Sequence, residues 1–220
     1  MLVEAIKAVV SPPARWVWRP TIEGAANVPR TGPVIIASNH LSFVDSVIIP
    51  ICAPRPVAFL AKAEYFEGRG VKGTAYRLWY NAIGSVPVDR GSPRGAQESL
   101  DAALAVLRAG GSFGIYPEGT RSRDGRLYRG RTGVAWLALT SGAPVVPVAL
   151  AGTQNIQPIG ERLPRVRPVT VTFGTPRRYE HDGSPSGRRR RVVTDDIMDA
   201  IHALSGQELA GAYNDLPAED

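Results

Sequence analysis

Residues 34–45 read VIIASNHLSFVD, and this stretch decides the fold that we expect for the chain. Its first four residues, Val34 to Ala37, form a short apolar run that is typical of a buried strand. Asparagine, histidine, serine and aspartate follow at the point where that strand ends. Open α/β sheets carry their active sites at this end of their strands. The stretch therefore predicts an α/β domain with functional groups that begin near His40.

His40 and Asp45 are the residues of this stretch that could carry out acid–base chemistry. An alcohol or amine needs a base to become a good nucleophile, and an unperturbed imidazole titrates near working pH, at about 6.5. Asp45 would accept a hydrogen bond from one ring nitrogen and fix the tautomer. Five residues turn a helix by about 500°, so the side chains meet only if His40 precedes the helix and Asp45 lies in its first turn. On these residues alone, a structural role for His40 is the alternative.

The composition limits which classes of protein and partner are possible. The chain has 220 residues, which is enough for one domain with a substantial core, and a net charge of +6. This charge favours an anionic partner: nucleic acid, a phosphorylated ligand or an anionic membrane. A single cysteine, Cys52, excludes an internal disulfide framework and a cysteine-based zinc site. Because only three histidines are scattered along the chain, we expect no bound metal. No apolar run reaches the roughly 20 residues of a membrane-spanning helix, so we expect none.

The alternation of apolar runs and amphipathic segments predicts a mostly parallel central sheet flanked by helices. We predict strands over 34–37, 57–61, 84–88, 112–116, 144–150 and 169–173. Helices are predicted after Asp45 as far as Pro50–Pro56, over 71–82, from residue 92 or 93 to the glycines 110 and 111, and over 133–141 and 192–204. Residues 20–33, rich in proline and glycine, are predicted to be a connector without regular structure.

The two ends of the chain differ from this central domain, which we place at 20–205. Residues 1–19 are predicted to be an amphipathic helical segment, with Trp16 and Trp18 flanked by arginines as at a lipid headgroup interface. An ordinary helix docked on the core is the alternative for this segment. Residues 206–220 are polar and are predicted to be a flexible tail.

Three short patterns resemble known motifs but fail on their context. Residues 110–114 match GxSxG, yet a nucleophile elbow follows a strand and opens a helix, and this pattern does the reverse. Residues 68–73 match GxGxxG, but the preceding strand is predicted to end too early for a dinucleotide site. The run Arg188–Arg191 has no recognition helix or aromatic stacking platform beside it, so we expect no nucleic-acid partner. We predict that these arginines form a solvated surface with affinity for anionic lipid.

Polar residues also follow the other predicted strands. Arg90 comes after the third strand, and the fourth ends at a loop with Glu118, Gly119, Thr120 and Arg121. Because the carboxyl ends of parallel strands share one edge, these groups can line a single cleft with His40 and Asp45. Two arginines beside this pair suit an alcohol that carries a phosphate. Alternatively, Arg90 pairs with a nearby carboxylate and Glu118 ties down its own loop.

Four ordered blocks resemble those of the glycerolipid acyltransferase family. Residues 39–45 resemble the NHxxxxD block, and 84–90 resemble the second block, whose last arginine is implicated in phosphate binding. Residues 116–122, YPEGTRS, match the third block with tyrosine in place of the usual phenylalanine, and 145–149 resemble the fourth, apolar block. The resemblance covers about residues 20–175.

This resemblance implies a glycerol-phosphate acyltransferase-like fold and a specific reaction. It implies that an acyl group moves from acyl-CoA or acyl-carrier protein to the free hydroxyl of a lysophosphatidate-type acceptor, and that phosphatidate forms without a metal or cofactor. His40 would be the general base and Asp45 would orient it. The groups expected to contact the substrate are Arg90, Glu118, Gly119, Thr120, Arg121, Asn39 and Ser42.

Three other functions remain open from the sequence. The acceptor could be another lysophospholipid or glycerol 3-phosphate, the same His40–Asp45 pair could hydrolyse a thioester, or the chain could be a lipid-binding module. The expected location is the cytoplasmic, inner face of a membrane, with peripheral attachment through an anionic lipid surface.

Overall fold

The computed structural model describes residues 11, 12, 15, 16, 18–62, 86–88, 95–156 and 165–214, with only the backbone at 61, 62 and 86–88. The helix predicted over 71–82 and Arg90 lie outside these residues. Most of the N-terminal segment 1–19 and the last six residues of the chain also lie outside them.

Within those ranges the chain forms seven strands and four α-helices with described bounds, and residues 11, 12, 15, 16 and 18 are also helical. The strands are β1 (Thr21–Glu23), β2 (Val34–Ser38), β3 (Leu60–Lys62), β4 (Val86–Val88), β5 (Ser112–Ile115), β6 (Val145–Ala151) and β7 (Thr170–Phe173). The helices are α1 (Asp45–Cys52), α2 (Gly95–Arg108), α3 (Gly133–Ser141) and α4 (Gly187–Ser205). None of the described helices is both long and apolar enough to span a membrane.

The predicted α/β class with a mostly parallel central sheet is confirmed. Five strands form a sheet in the order β1-β7-β6-β2-β5, and β3 pairs with β4. The central strand β2 runs parallel to both neighbours, with Ile36 opposite Gly114 of β5 and Val146 of β6. Ala58, just before β3, forms a parallel bridge with Phe113 and so joins the β3–β4 pair to the β5 edge. Only β6 and β7, among the described pairs, are antiparallel.

The prediction of a connector without regular structure at 20–33 is wrong at its start. Thr21–Glu23 forms β1, which is parallel to β7. The Thr21 N–H donates to the carbonyl of Val169, far along the chain. A strand of three residues between a proline and a glycine is too short for its alternation to predict a strand, so its partner, and not its own sequence, determines its structure.

Alternate residues of β2 supply two separate hydrophobic cores, one on each face of the sheet. Ile35 and Ala37 belong to the core that contains the buried residues of α2, α3 and α4. Val34 and Ile36 belong to the core that contains Ile48 and Ile49 of α1. Because side chains of a strand point alternately to the two faces, a run without a polar position predicts burial on both sides. Residues 34–38 are all fully buried, as predicted for a central strand.

The C-terminal residues 206–214 pack on the domain, in contrast to the flexible tail expected from residue 206. Leu127 N–H donates to the carbonyl of Glu208, and Ala210 N–H donates back to the carbonyl of Leu127. Arg129 N–H likewise donates to the carbonyl of Ala212. These bonds, and not local sequence, order the segment; we call residues 206–214 the C-terminal segment.

Candidate active site

The carboxyl ends of β2 and β5 place two polar loops side by side. β2 leads into the turn at residues 39–45, and β5 leads into the loop at residues 116–131, which we call the Glu118 loop. The two strands are hydrogen-bonded parallel neighbours, so both loops leave the sheet at the same edge. This arrangement is the one predicted for the cleft.

His40 and Asp45 meet as the sequence predicted. His40 Nδ1 lies 2.8 Å from Asp45 Oδ2. The same oxygen accepts the backbone N–H groups of Leu41 and Ser42, at 2.7 and 2.8 Å. Because these two donors fix Oδ2 as an acceptor, Nδ1 carries the ring hydrogen and the lone pair lies on Nε2. His40 lies in the turn before α1 and Asp45 begins that helix, which is the geometry that the spacing required.

The two partners of this pair differ in exposure. Asp45 is fully buried, whereas the His40 side chain keeps 15% of its surface exposed. Nε2 of His40 makes no hydrogen bond to any residue that the structure describes. The nitrogen that carries the lone pair is therefore the one left for another molecule.

A stack of aromatic rings fixes the orientation of the imidazole. The rings of His40 and Tyr116 lie 3.8 Å apart and are nearly parallel, at 7°. Tyr116 in turn stacks on Phe59 at 5.3 Å, and its hydroxyl bonds Ser46 Oγ at 2.9 Å. A Cβ at Gly114 would come within 2.2 Å of the Phe59 ring. Gly114, part of the rejected GxSxG pattern, is therefore needed for close packing at this stack.

The Glu118 loop is bonded directly to the main chain of His40. The His40 N–H donates to Glu118 Oε1 at 3.0 Å, and the His40 carbonyl accepts the Ser122 N–H at 2.7 Å. Glu118 Oε2 accepts the Tyr128 N–H at 2.9 Å. One carboxyl group therefore links the turn at 39–45 to the Tyr128 part of the Glu118 loop. Fixing its own loop in this way is the structural role given above as the alternative to substrate binding.

Glu118 is fully buried, and its environment changes its protonation. Burial raises the pKa of Glu118 from an ordinary 4.5 to about 7, and the nearby Asp45 charge acts in the same direction. The hydrogen bonds from Tyr128 and His40 oppose this shift but do not cancel it. Glu118 therefore changes charge near neutral pH within hydrogen-bonding distance of the His40 backbone.

Asn39 and Ser42, predicted to contact the substrate, are buried and face the protein. Asn39 bonds both backbone groups of Leu150: its Nδ2 donates to the carbonyl at 3.0 Å and its Oδ1 accepts the N–H at 2.8 Å. Its Nδ2 also donates to Gln207 Oε1 at 2.8 Å. Ser42 acts through its backbone bond to Asp45, and its Oγ is buried without a partner among the described residues. The Asn39 side chain therefore links the end of β2 to Leu150 of β6.

The remaining predicted residues lie at the surface of the loop. Gly119 is exposed with φ of +82°, a backbone conformation that favours glycine, and its N–H donates to the Tyr116 carbonyl. Thr120 and Arg121 are half-buried, and the Arg121 carbonyl accepts a bond from Asn214 Nδ2 at 3.0 Å. Arg90 lies outside the described residues, so its place in the site stays a prediction.

Two residues at the site were not predicted from the sequence: Gln207 of the C-terminal segment and Arg131 at the end of the Glu118 loop. Gln207 bonds Asn39 and also donates to the Gly125 carbonyl at 2.7 Å. Arg131 lies across Gly119: a Cβ on that glycine would come within 2.9 Å of Arg131 Nε. No local pattern marks these residues, because their partners are more than 80 positions away or are backbone atoms.

Comparison with known proteins identifies the family. A family model described as Acyltransferase matches residues 19–151. A chloroplastic 1-acyl-sn-glycerol-3-phosphate acyltransferase of Brassica napus is 34% identical over 144 residues, which are 65% of this chain and 40% of the relative. An enzyme with the same name from Bacillus subtilis is 27% identical, over 82% of this chain and 85% of its own length.

A solved structure matches the fold. The 1-acyl-sn-glycerophosphate acyltransferase PlsC of Thermotoga maritima aligns with a TM-score of 0.69 and 25% identity, over 92% of this chain and 79% of that one. The match spans 38% to 49% of the length of the land-plant relatives. The family model spans more than half of the chain and includes both loops of the site. The resemblance drawn from the four blocks is thus confirmed, and the chain belongs to the acyltransferase family.

Proposed function

We propose that this protein transfers a fatty acyl group from a thioester donor to the free hydroxyl of lysophosphatidate. The observation that carries the proposal is the His40–Asp45 pair, 2.8 Å apart, with Nε2 of the partly exposed imidazole left unbonded by the described residues. The names of the relatives support the choice of acceptor, because several are 1-acyl-sn-glycerol-3-phosphate acyltransferases.

The proposed reaction begins with proton transfer to His40. Nε2 takes the proton of the acceptor hydroxyl as that oxygen attacks the thioester carbonyl carbon, and the new C–O bond forms. The tetrahedral intermediate then collapses, the C–S bond breaks, and the leaving thiolate takes the proton from Nε2. Asp45 stabilises the imidazolium in between, since Oδ2 already accepts the Nδ1–H.

In this proposal the Glu118 loop holds the acceptor against the base. Glu118 fixes the loop to the His40 peptide group, and Gly119 leaves backbone exposed beside it. Arg121 and Arg90 stay predicted ligands of the acceptor phosphate, since a guanidinium group matches phosphate oxygens in pairs. We also propose that no metal or cofactor takes part, and that the donor is acyl-CoA or acyl-carrier protein.

Attachment to an anionic membrane at the cytoplasmic face is the proposed location. The support comes from Trp16, which is 73% exposed. The neighbouring Arg15 is anchored, because its guanidinium donates to the Ile51 carbonyl at 2.9 and 2.6 Å. An exposed indole beside an anchored arginine is suited to a lipid headgroup region.

A transfer assay tests the proposed function. Purified protein is mixed with lysophosphatidate and labelled acyl-CoA or acyl-carrier protein, and phosphatidate formation is measured. We expect formation by the wild type and a loss of at least about 10³-fold in kcat for His40→Ala, because a general base and its pairing are removed. Equal rates for the two proteins would show that His40 is not the base, and thiol release without an acceptor would indicate a thioesterase.

A further inference from the structure

Two arginines at the end of the Glu118 loop carry positive charge that no acidic group among the described residues neutralises. Arg129 and Arg131 are both exposed, and neither forms an ion pair with any residue in those ranges. Two other arginines nearby are paired with carboxylates: Arg126 Nε lies 2.7 Å from Asp124, and Arg191 bonds Asp195 through two nitrogens. The lack of a carboxylate at Arg129 and Arg131 is therefore a local feature of this part of the loop.

Tyr213 of the C-terminal segment holds these two cations together. The guanidinium carbon of Arg129 lies 5.2 Å from the centroid of the Tyr213 ring, and that of Arg131 lies 5.9 Å from it. A ring face attracts a cation but does not neutralise it, so two guanidinium groups at one ring still repel each other. Bound anionic oxygen would relieve that repulsion and would accept N–H groups from both.

Most of the hydrogen-bond donors of this pair are available. Within the described part of the chain, Arg131 makes one side-chain hydrogen bond, from Nη2 to the Asn214 carbonyl at 3.3 Å. The Arg129 side chain makes none to the residues that the structure describes. Since each guanidinium has five N–H donors, several remain free to bind a ligand.

The position of Arg131 connects this pair to the reaction. Its side chain lies over Gly119, where an added Cβ would come within 3.0 Å of Arg131 Cδ. The residues on either side of that turn, Glu118 and Ser122, are hydrogen-bonded to the backbone of His40. A group bound by Arg131 would therefore lie next to the loop that holds the proposed base.

We propose that Arg129 and Arg131, held on the ring of Tyr213, form a phosphate-binding subsite at the Gly119 turn. The subsite takes a phosphate of one of the substrates and places the rest of that molecule beside His40. This inference rests on the proposed acyltransferase function and adds to it residues outside the four sequence blocks. It also gives the C-terminal segment a role, because Tyr213 builds the subsite.

Steady-state kinetics of an Arg129→Ala/Arg131→Ala protein test the subsite. We expect KM for the phosphate-bearing substrate to rise about tenfold or more, with kcat within about twofold of wild type, because charge-assisted bonds are lost from binding. Arg108→Ala, which removes one exposed positive charge at the end of α2, is the matched control and should leave KM unchanged. Tyr213→Phe keeps the ring and should resemble wild type, whereas Tyr213→Ala should raise KM.

Pairs of substrates identify which phosphate is bound. If lysophosphatidate shows the increase in KM and monoacylglycerol does not, the phosphate belongs to the acceptor. If acyl-CoA shows it and an acyl-pantetheine does not, the phosphate belongs to the donor; either result supports the subsite. An equal increase with substrates that lack phosphate, or no increase with any, overturns it.

Direct binding separates this inference from the proposed function. Should the wild type transfer no acyl group, calorimetric titration with glycerol 3-phosphate and, separately, with coenzyme A still tests the subsite. A Kd at least about tenfold weaker for either ligand in the double variant supports it, and equal Kd values for both ligands overturn it. Weaker binding to anionic vesicles, with unchanged KM for both acyl-CoA and a soluble, short-chain lysophosphatidate, would assign the arginines to a membrane contact and also overturn it.

Discussion

The turn that carries His40 and the loop that carries Glu118 leave neighbouring parallel strands, yet they are held in different ways. In the turn at 39–45, Asp45 Oδ2 accepts bonds from His40, Leu41 and Ser42, all within five residues of it. The proposed catalytic pair is therefore built almost wholly by local contacts.

The Glu118 loop depends on contacts from distant parts of the chain. Glu118 bonds His40, 78 residues away, and Asn214 bonds Arg121, 93 residues away. The C-terminal segment adds three backbone hydrogen bonds to Leu127 and Arg129. The proposed base can thus be preformed by a short sequence, whereas the proposed binding loop needs the completed fold.

Asp45→Asn breaks the local turn and should have the largest effect on catalysis. The amide can present an N–H where Oδ2 now accepts three hydrogen bonds, so the His40 tautomer is no longer fixed. We expect kcat for acyl transfer to fall by about 10³- to 10⁴-fold. Circular dichroism and thermal unfolding check that the variant is folded. Retention of more than a tenth of wild-type kcat would contradict the role assigned to Asp45.

The substitution Glu118→Gln tests the link between the turn at 39–45 and the Glu118 loop, and the measured quantity is the free energy of unfolding as a function of pH. Since burial raises the pKa of Glu118 to about 7 from 4.5, the folded protein holds this proton more tightly than the unfolded chain. The contribution of this bound proton to the free energy of unfolding is thus fully present below pH 4.5 and is lost as pH rises through about 7. Its size is about 3 kcal/mol.

The measurement is urea unfolding of wild type and Glu118→Gln at several values between about pH 3.5 and 8.5, a range that brackets both pKa values. Glutamine cannot titrate, so the stability of the wild type relative to the variant should fall by about 3 kcal/mol across this range. Groups common to both proteins cancel in that difference. A difference that stays constant with pH would show that Glu118 keeps an ordinary pKa.

Asn214→Ala weakens the distant support of the Glu118 loop and should have the smallest effect. It removes the bond to the Arg121 carbonyl but keeps the backbone bonds of the C-terminal segment. We expect a loss of stability of about 1 kcal/mol, with kcat/KM a few-fold lower. Gln97→Ala is a matched control, since it removes an exposed amide bond to Asp101 on α2. Similar kcat/KM values for both variants would show that Asn214 does not support the loop.

Sequence reasoning succeeded where the chain carries its own signal. The run at Val34–Ala37 is apolar throughout because it is covered on both faces, and it was predicted as a buried strand. The spacing of His40 and Asp45 gave the correct geometry, because a turn followed by the first residue of a helix brings both side chains together. The bonds of Asn39 to the backbone of Leu150 were not predicted, because a buried amide that bonds backbone and one that binds substrate look identical in a sequence.

The sequence by itself determined the α/β class, the buried strand at Val34–Ala37 and the proposed catalytic pair, because buried-strand patterns and local turns depend on neighbouring residues. Only the tertiary structure decided that β1 exists, that Glu118 ties two loops together, and that Tyr213 gathers Arg129 and Arg131. The physical reason is that these contacts join residues far apart in the chain. Their energies come from burial and from partners that are present only once the sheet has formed.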